Sequence, residues 1–151
     1  MNSIRALTTA LLSVALFLGL TSVATAQGVR PEIGKPLQQA SDLLKAGKAK
    51  EALAKAREAD AVGGKTASEQ LVIDRMKGAA AQRVGDTATT IAAFESVYGR
   101  ASGAEQAQMA EQIAFAYSQQ KNWPKTSEWA NKAKAAGGNS ASLNQLIAFV
   151  Q

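Results

Sequence analysis

Three short turn sequences recur at nearly constant spacing in this chain, and each separates two stretches with the apolar periodicity of a helix. The turns are Gly47-Lys48, Gly85-Asp86 and Lys121-Asn122, and they lie 38 and 36 residues apart. An apolar residue at every third or fourth position predicts a helix with one buried face. A helix-turn-helix unit cannot bury that face alone, so the recurrence predicts an array of stacked units.

Alanine dominates the inward-facing positions of the helix predicted after Gly47. Between Gly47 and Gly63 the apolar stripe consists of Ala49, Ala52, Leu53, Ala56 and Ala59. Alanine lets a neighbouring backbone come close, and it has the highest helix propensity. After three such helix pairs, a seventh helix is expected near the C-terminus. Its apolar face would consist of Leu143, Leu146, Ile147 and Val150.

Local signals predict where several helices begin. Thr66 and Glu69, and likewise Ser102 and Glu105, have the spacing of a capping box, in which two side chains satisfy free amides at a helix start. Pro36 is expected in the first turn of the first helix, where a proline costs no hydrogen bond.

The absence of two residue types excludes whole classes of site. The chain contains no cysteine and no histidine, so zinc, copper and haem sites and Cys- or His-based nucleophilic sites lose their usual groups. No nucleophile motif such as G-x-S-x-G appears, and no acidic loop resembles a calcium site. We therefore expect no metal, no cofactor and no catalytic activity.

Residues 1–26 have the layout of a secretory signal peptide. Arg5 precedes an uncharged apolar run, and Ala24-Thr25-Ala26 provides small residues for cleavage after Ala26. The alternative is an uncleaved membrane anchor, since the run is nearly long enough to span a bilayer. With cleavage, residues 27–35 form a short lead and residues 36–151 the repeat domain, with no stable membrane span.

Charge gives no sign of a nucleic-acid partner. The whole chain has net charge +5, and removal of Arg5 leaves 16 basic against 12 acidic residues, or +4. The charges are interspersed along helices, which is typical of a solvated surface. Nucleic-acid binding favours a basic stripe with aromatic residues, and the sequence contains no such stripe.

The three units resemble the tetratricopeptide repeat, a helix-turn-helix unit with a period of 34 residues. In that family a small residue lies in the middle of the first helix, and the turn residue follows seven positions later. The small residues here are Ala40, Gly78 and Ala114, and the turn residues are Gly47, Gly85 and Lys121.

The second helices match the same family less regularly. Its small residue early in this helix is present as Ala52, whereas Thr90 and Thr126 depart from the pattern. The aromatic or aliphatic position four residues later holds Ala56, Phe94 and Ala130. The resemblance covers about residues 36–151.

This resemblance implies an all-α fold, a right-handed α-solenoid of about three helix-turn-helix pairs plus a C-terminal helix, with the first helices lining a concave face. It also implies a scaffold or adaptor that binds a peptide or protein there. The expected contact residues are Arg75, Gln82, Gln108, Glu111, Phe115 and Ser118. Together with the signal peptide, the likeness to exported proteins of Gram-negative bacteria predicts a periplasmic location.

Other interpretations of these residues stay open at this point. Arg75 and Glu111 could pair with each other, and Phe115 could be ordinary packing. Trp123 and Trp129 are interpreted as packing residues, since Trp129 and Ala133 share a helix face. The alternative function is a structural envelope protein that self-associates through the C-terminal helix and has no separate ligand.

Overall fold

The computed structural model describes residues 28–151, and this part of the chain is helical apart from its turns. The predicted signal peptide, residues 1–26, lies outside the described residues. The seven helices are α1 (Pro31–Lys45), α2 (Ala49–Asp60), α3 (Ala67–Val84), α4 (Thr87–Tyr98), α5 (Gly103–Gln119), α6 (Trp123–Ala135) and α7 (Ala141–Val150). The predicted all-α class is therefore confirmed for the described residues.

Three tight turns join α1 to α2, α3 to α4 and α5 to α6. The residues Gly47, Gly85 and Lys121 have φ values of +76°, +83° and +57° at these turns. A left-handed backbone suits glycine but is uncommon for lysine. The three turns predicted from the sequence are confirmed, and each has its left-handed residue at the corresponding position.

The small residues in the middle of the first helices are buried at the pair interfaces. Ala40 and Ala114 are fully buried, and a Cβ added to Gly78 would overlap the ring of Phe94. Phe94 itself is 4% exposed. An aromatic side chain in the second helix of this pair therefore requires glycine opposite it in the first.

The two threonines that depart from the family pattern are also buried. Thr90 and Thr126 are 2% and 0% exposed. Each hydroxyl donates a 2.9 Å hydrogen bond to the carbonyl oxygen four residues earlier, at Asp86 and Asn122 respectively. A buried hydroxyl needs such a partner, so threonine fits at a position where the family has a small apolar residue.

Only one of the two predicted capping boxes forms. At α3 the Thr66 hydroxyl accepts from the Glu69 amide, and the Glu69 carboxylate accepts from the Thr66 amide. At α5 Ser102 makes no side-chain cap. Gly103, the first residue of α5, has φ +58°, and the Glu105 carboxylate accepts from Arg75 instead. The second capping box was thus predicted wrongly.

Helix α1 begins five residues before the position expected for its first turn. Pro31 is its first residue, and Pro36 lies inside it. A proline there lacks the amide that would complete one helical hydrogen bond. Pro36 is buried together with Ile33 and Leu37, so packing of this face offsets that loss.

The helices pack in chain order, and α1 also contacts α3. One apolar cluster extends over α4 to α7, with Phe94, Ile113 and Trp129 among its members. Two smaller clusters extend over α1 to α3, and one of them consists mostly of alanine. This order of contacts gives three successive helix pairs followed by α7.

Candidate functional site

The six predicted contact residues lie on two helices that occupy the same place in successive pairs. Arg75 and Gln82 belong to α3, and the other four belong to α5. Side-chain hydrogen bonds connect these helices at two points about two turns apart. The surface formed by α3 and α5 is therefore one continuous face, here called the α3–α5 face.

At one point, Arg75 and Glu105 form a two-pronged ion pair. The Arg75 Nε and Nη2 atoms lie 2.6 and 2.8 Å from the two Glu105 carboxylate oxygens. Both side chains are more than one-third exposed. The predicted alternative partner, Glu111, instead accepts a hydrogen bond from the Ser140 hydroxyl at the start of α7. The Arg75–Glu111 pairing is thus wrong, and Arg75 already has a carboxylate partner.

At the other point, the Gln82 amide donates to the Gln112 side-chain oxygen. Beside this bond is a small cleft that reaches from the end of α3 over the start of α4 to α5. Its lining residues are Gln82, Gly85, Thr87, Thr90, Phe115, Ala116 and Gln119. None of these residues is ionisable. The cleft therefore has an aromatic ring, two amides and two threonines, but no charged side chain.

The remaining predicted residues, Ser118 and Gln108, do not line this cleft. Ser118 is half-buried, and its hydroxyl donates a 2.7 Å bond to the Phe115 carbonyl oxygen. Gln108 is exposed on α5, one turn before Gln112. Of the six residues, Gln82 and Phe115 alone line the cleft.

Sequence reasoning missed a buried polar network that joins three helices. Asp74 is 3% exposed and accepts hydrogen bonds from Gln70 at 3.0 Å and Ser96 at 2.7 Å. Lys77 lies 3.2 Å from Asp74 and 2.6 Å from Asp60 at the end of α2. A signal was present, since Asp74 shares a helix face with the buried residues Gly78 and Ala81 at i+4 and i+7.

In this network, the attraction between opposite charges offsets the free-energy cost of burying them. Burial alone would raise the pKa of Asp60, but hydrogen bonds from Lys77 and Gln70 hold it below its ordinary value. Burial alone would lower the pKa of Lys77, but Asp60 and Asp74 raise it. Both groups are therefore ionised at neutral pH, in a structural arrangement without an unpaired acid or base.

A second missed feature is the side chain of Glu69, which is fully buried. Besides its capping-box bond, it accepts from the backbone amide and from two guanidinium nitrogens of Arg30, at 3.0 to 3.1 Å. The Arg30 guanidinium, followed by the Thr66 and Arg30 amides, lowers the pKa of Glu69 to about 2. This carboxylate connects the start of α1 to the start of α3.

The two tryptophans differ in environment. Trp129 is 6% exposed, and its ring meets that of Tyr98 edge-on at 5.0 Å, which confirms the packing prediction. Trp123 is 41% exposed and meets Phe149, which is 70% exposed, with ring centroids 5.2 Å apart. For Trp123 the packing prediction is wrong, because its main aromatic neighbour is itself exposed.

Residues 28–151 contain no group of three or more acidic side chains that could hold a metal ion. Over the same residues, no helix is long and apolar enough to cross a membrane. Every buried side-chain nitrogen and oxygen atom described has a hydrogen-bond partner. The polar cleft on the α3–α5 face is lined by residues of two successive helix pairs, and it is the candidate site.

Comparison with known protein families and with curated proteins gives no match for this chain. The likeness to tetratricopeptide repeats therefore stays a prediction that depends on this chain's own residues.

Proposed function

We propose that this chain is a non-catalytic scaffold or adaptor that binds an extended segment of a peptide or protein on the α3–α5 face. The proposal includes export to the periplasm after cleavage of the signal peptide. It also includes a right-handed solenoid of tetratricopeptide-like pairs, whose first helices would line the concave face.

One observation carries this proposal. Gln82 and Phe115 belong to different helix pairs, yet they line the same cleft. Both were expected to face a ligand because of their positions in the first helices. A site built from successive repeats is the usual way in which a helical array binds an extended chain.

The chemistry of the cleft favours an uncharged stretch of peptide. Each glutamine amide both donates and accepts hydrogen bonds, as does each peptide unit of an extended backbone. Gln82 and Gln119 border the cleft, and the half-buried ring of Phe115 offers an apolar contact. Aromatic rings in desolvated pockets often supply much of the binding energy.

A displayed library of random peptides, selected on the immobilised protein, tests this function. A selected peptide is then titrated into isotope-labelled protein. The shifted backbone amides are expected to cluster around Gln82, Thr87, Phe115 and Gln119. The variant Gln82→Ala/Gln119→Ala should weaken binding about fivefold or more, because two hydrogen bonds contribute about 0.5–1.5 kcal/mol each.

The matched control is Gln39→Ala, which removes an exposed glutamine from α1. It should leave both affinity and melting temperature unchanged. Truncation of Phe115 is a poorer test, because this ring also packs against the apolar cluster of α4 to α7. Shifts confined to α2 or α7, or an unaltered affinity in the double variant, would contradict the proposed site.

A further inference from the structure

The side-chain amides of Gln82 on α3 and Gln112 on α5 are joined by a single hydrogen bond. The Gln82 Nε2 atom donates, and the Gln112 Oε1 atom accepts. In residues 28–151 this is the one hydrogen bond that either side-chain amide makes. Because a glutamine amide has an accepting oxygen and an NH2 group that donates, the pair keeps the Gln82 oxygen and the Gln112 NH2 group for a ligand.

Both of these groups lie at or beside the cleft of the α3–α5 face. Gln82 is exposed and lines the cleft, as does the half-buried Phe115. Gln112 is half-buried and lies three residues before Phe115. Side chains with this spacing are neighbours on a helix surface, so a segment that packs on the Phe115 ring also lies close to the Gln112 amide.

Two charged side chains that adjoin the cleft residues in sequence already have partners. Arg83, which follows Gln82, donates to the Leu44 carbonyl oxygen near the end of α1. Asp86, just before α4, lies 3.1 Å from Arg57. The residues that line the cleft are themselves uncharged. A ligand group that both donates and accepts hydrogen bonds, and that has no net charge, therefore suits this place best.

Other kinds of ligand side chain leave one or both amide groups without a partner. A carboxylate only accepts, so it satisfies the Gln112 NH2 group but opposes the Gln82 oxygen. An ammonium group only donates, so it satisfies the Gln82 oxygen but opposes the Gln112 NH2 group. An aliphatic side chain covers both groups and pairs with neither, which costs free energy where water is excluded.

We propose that the α3–α5 face recognises a carboxamide side chain, an asparagine or glutamine of the bound segment, through Gln82 and Gln112. The inference rests on the proposed function and adds the residue type that is recognised. A carboxamide donates and accepts through two different atoms, so it donates to the Gln82 oxygen and accepts from the Gln112 NH2 group. Gln112 is also a positioning residue, because its oxygen holds the Gln82 amide in place.

The peptides selected on the immobilised protein provide the first test. They should contain asparagine or glutamine at one fixed position more often than the unselected library does. In a synthetic copy of a selected peptide, replacement of this residue by leucine, aspartate or serine should weaken binding. Calorimetry should show a loss of about fivefold or more for leucine, because two hydrogen bonds are lost.

The variant Gln112→Met tests the role of Gln112, since methionine has a similar length and no amide. The factor by which the peptide change to leucine weakens binding should fall at least about twofold in this variant, because one of the two bonds is already absent. Without any peptide, the Gln82 side-chain amide resonances should also shift. Gln39→Met, at an exposed position on α1, should change neither measurement.

The outcomes separate this inference from the proposed function. Peptides that bind at the cleft without a fixed asparagine or glutamine overturn the inference and leave the function intact. So does a preference for aspartate or glutamate, which would assign recognition to a cation such as Lys121 in the next turn. An equal leucine effect in wild type and Gln112→Met, or unshifted Gln82 resonances, would also overturn it, because Gln112 would then neither contact nor position. If no peptide binds at this face, both proposals fail.

Discussion

At the scale of single residues, Gly78 and Phe94 lie directly opposite each other between the two helices of a pair. The ring of Phe94 occupies the space that a side chain at residue 78 would need. Interior side chains have little room to move, because protein cores are packed as densely as organic crystals. The identity of one residue is therefore fixed by its neighbour rather than by helix propensity, which would favour alanine over glycine.

Gly78→Ala is expected to lower the free energy of unfolding by up to about 2 kcal/mol, because overpacking costs about 1–3 kcal/mol and the gain in helix propensity returns only about 1 kcal/mol. Denaturant titration measures the loss. Gly99→Ala is the matched control, since an added Cβ there would meet only carbonyl oxygens at 3.7 and 3.8 Å. In Gly78→Ala/Phe94→Leu the two costs should be less than additive. Additive costs would mean that the Phe94 ring and the methyl group added at residue 78 do not compete for the same space.

The Glu69 carboxylate is expected to make stability depend on pH at low pH. Its pKa is lowered from 4.5 to about 2 in the folded protein. The unfolded chain therefore binds up to about one more proton between these values. This contribution is fully present above pH 4.5 and is lost as pH falls towards 2.

Unfolding free energies between pH 2 and pH 6 would measure this effect. Glu69→Gln should remove up to about one proton from the slope of stability against pH in this window. Arg30→Gln should reduce the slope in the same direction, because the guanidinium is the largest cause of the lowered pKa. The lowered pKa values of Asp60, Asp86 and Glu128 contribute in both proteins and cancel in the comparison. Equal slopes in wild type and Glu69→Gln would refute the assignment.

At the scale of helices, two identical sequence signals have different outcomes. Thr66 and Glu69 form a capping box at α3, whereas Ser102 and Glu105 do not form one at α5. Replacing Thr66 by alanine should cost about 1 kcal/mol, since the Glu69 amide loses its acceptor. Ser102→Ala should change the unfolding free energy by less than about 0.5 kcal/mol, as for an ordinary surface substitution. Thermal denaturation of both variants decides the matter, and equal losses would show that Ser102 does cap α5.

Helix order, turns and much of the core could be predicted because their signals are local. Gly47 and Gly85 favour the left-handed turn by themselves, and the periodicity around Ile73 or Ile113 defines a buried face whatever lies opposite. The hydrogen-bond partner of Glu105 could not be predicted, because that partner, Arg75, lies on another helix. Asp74 was missed for a related reason, since a charged residue on a helix normally faces water. Within the candidate site, Gln82 and Phe115 followed from their repeat positions, but Thr87 and Gln119 did not.

At the scale of the whole molecule, the apolar core differs in residue composition between its first and its second half. The clusters of α1 to α3 contain mostly alanine and aliphatic residues, whereas the cluster of α4 to α7 contains buried aromatic rings. The network around Asp74 connects these regions, because its side chains come from α2, α3 and α4 or the residue Arg100 just beyond it. In repeat arrays, cooperativity depends on such contacts between neighbouring units.

Asp74→Ala is therefore expected to weaken the coupling between the two regions as well as stability. Lys77, whose side chain is 18% exposed, would lose one carboxylate, and Gln70 and Ser96 would each lose an acceptor. Because Lys77 keeps Asp60, we expect a loss of about 3 kcal/mol, at the low end for a broken buried pair. Glu58→Ala, which breaks the exposed pair with Lys55 at 2.7 Å, should cost less than about 1 kcal/mol.

Amide hydrogen exchange distinguishes lost coupling from uniform weakening. In Asp74→Ala the amides of α1 and α2 should exchange much faster than those of α5 and α6, because the smaller side chains of the first region then open separately. In the wild-type protein the exchange rates of α1 and α2 should be closer to those of α5 and α6, since opening of α1 and α2 also breaks the network at Asp60. A uniform increase in exchange across all seven helices would mean that the apolar contacts between α2 and α3 suffice to couple the array, and that the buried charges contribute to stability alone.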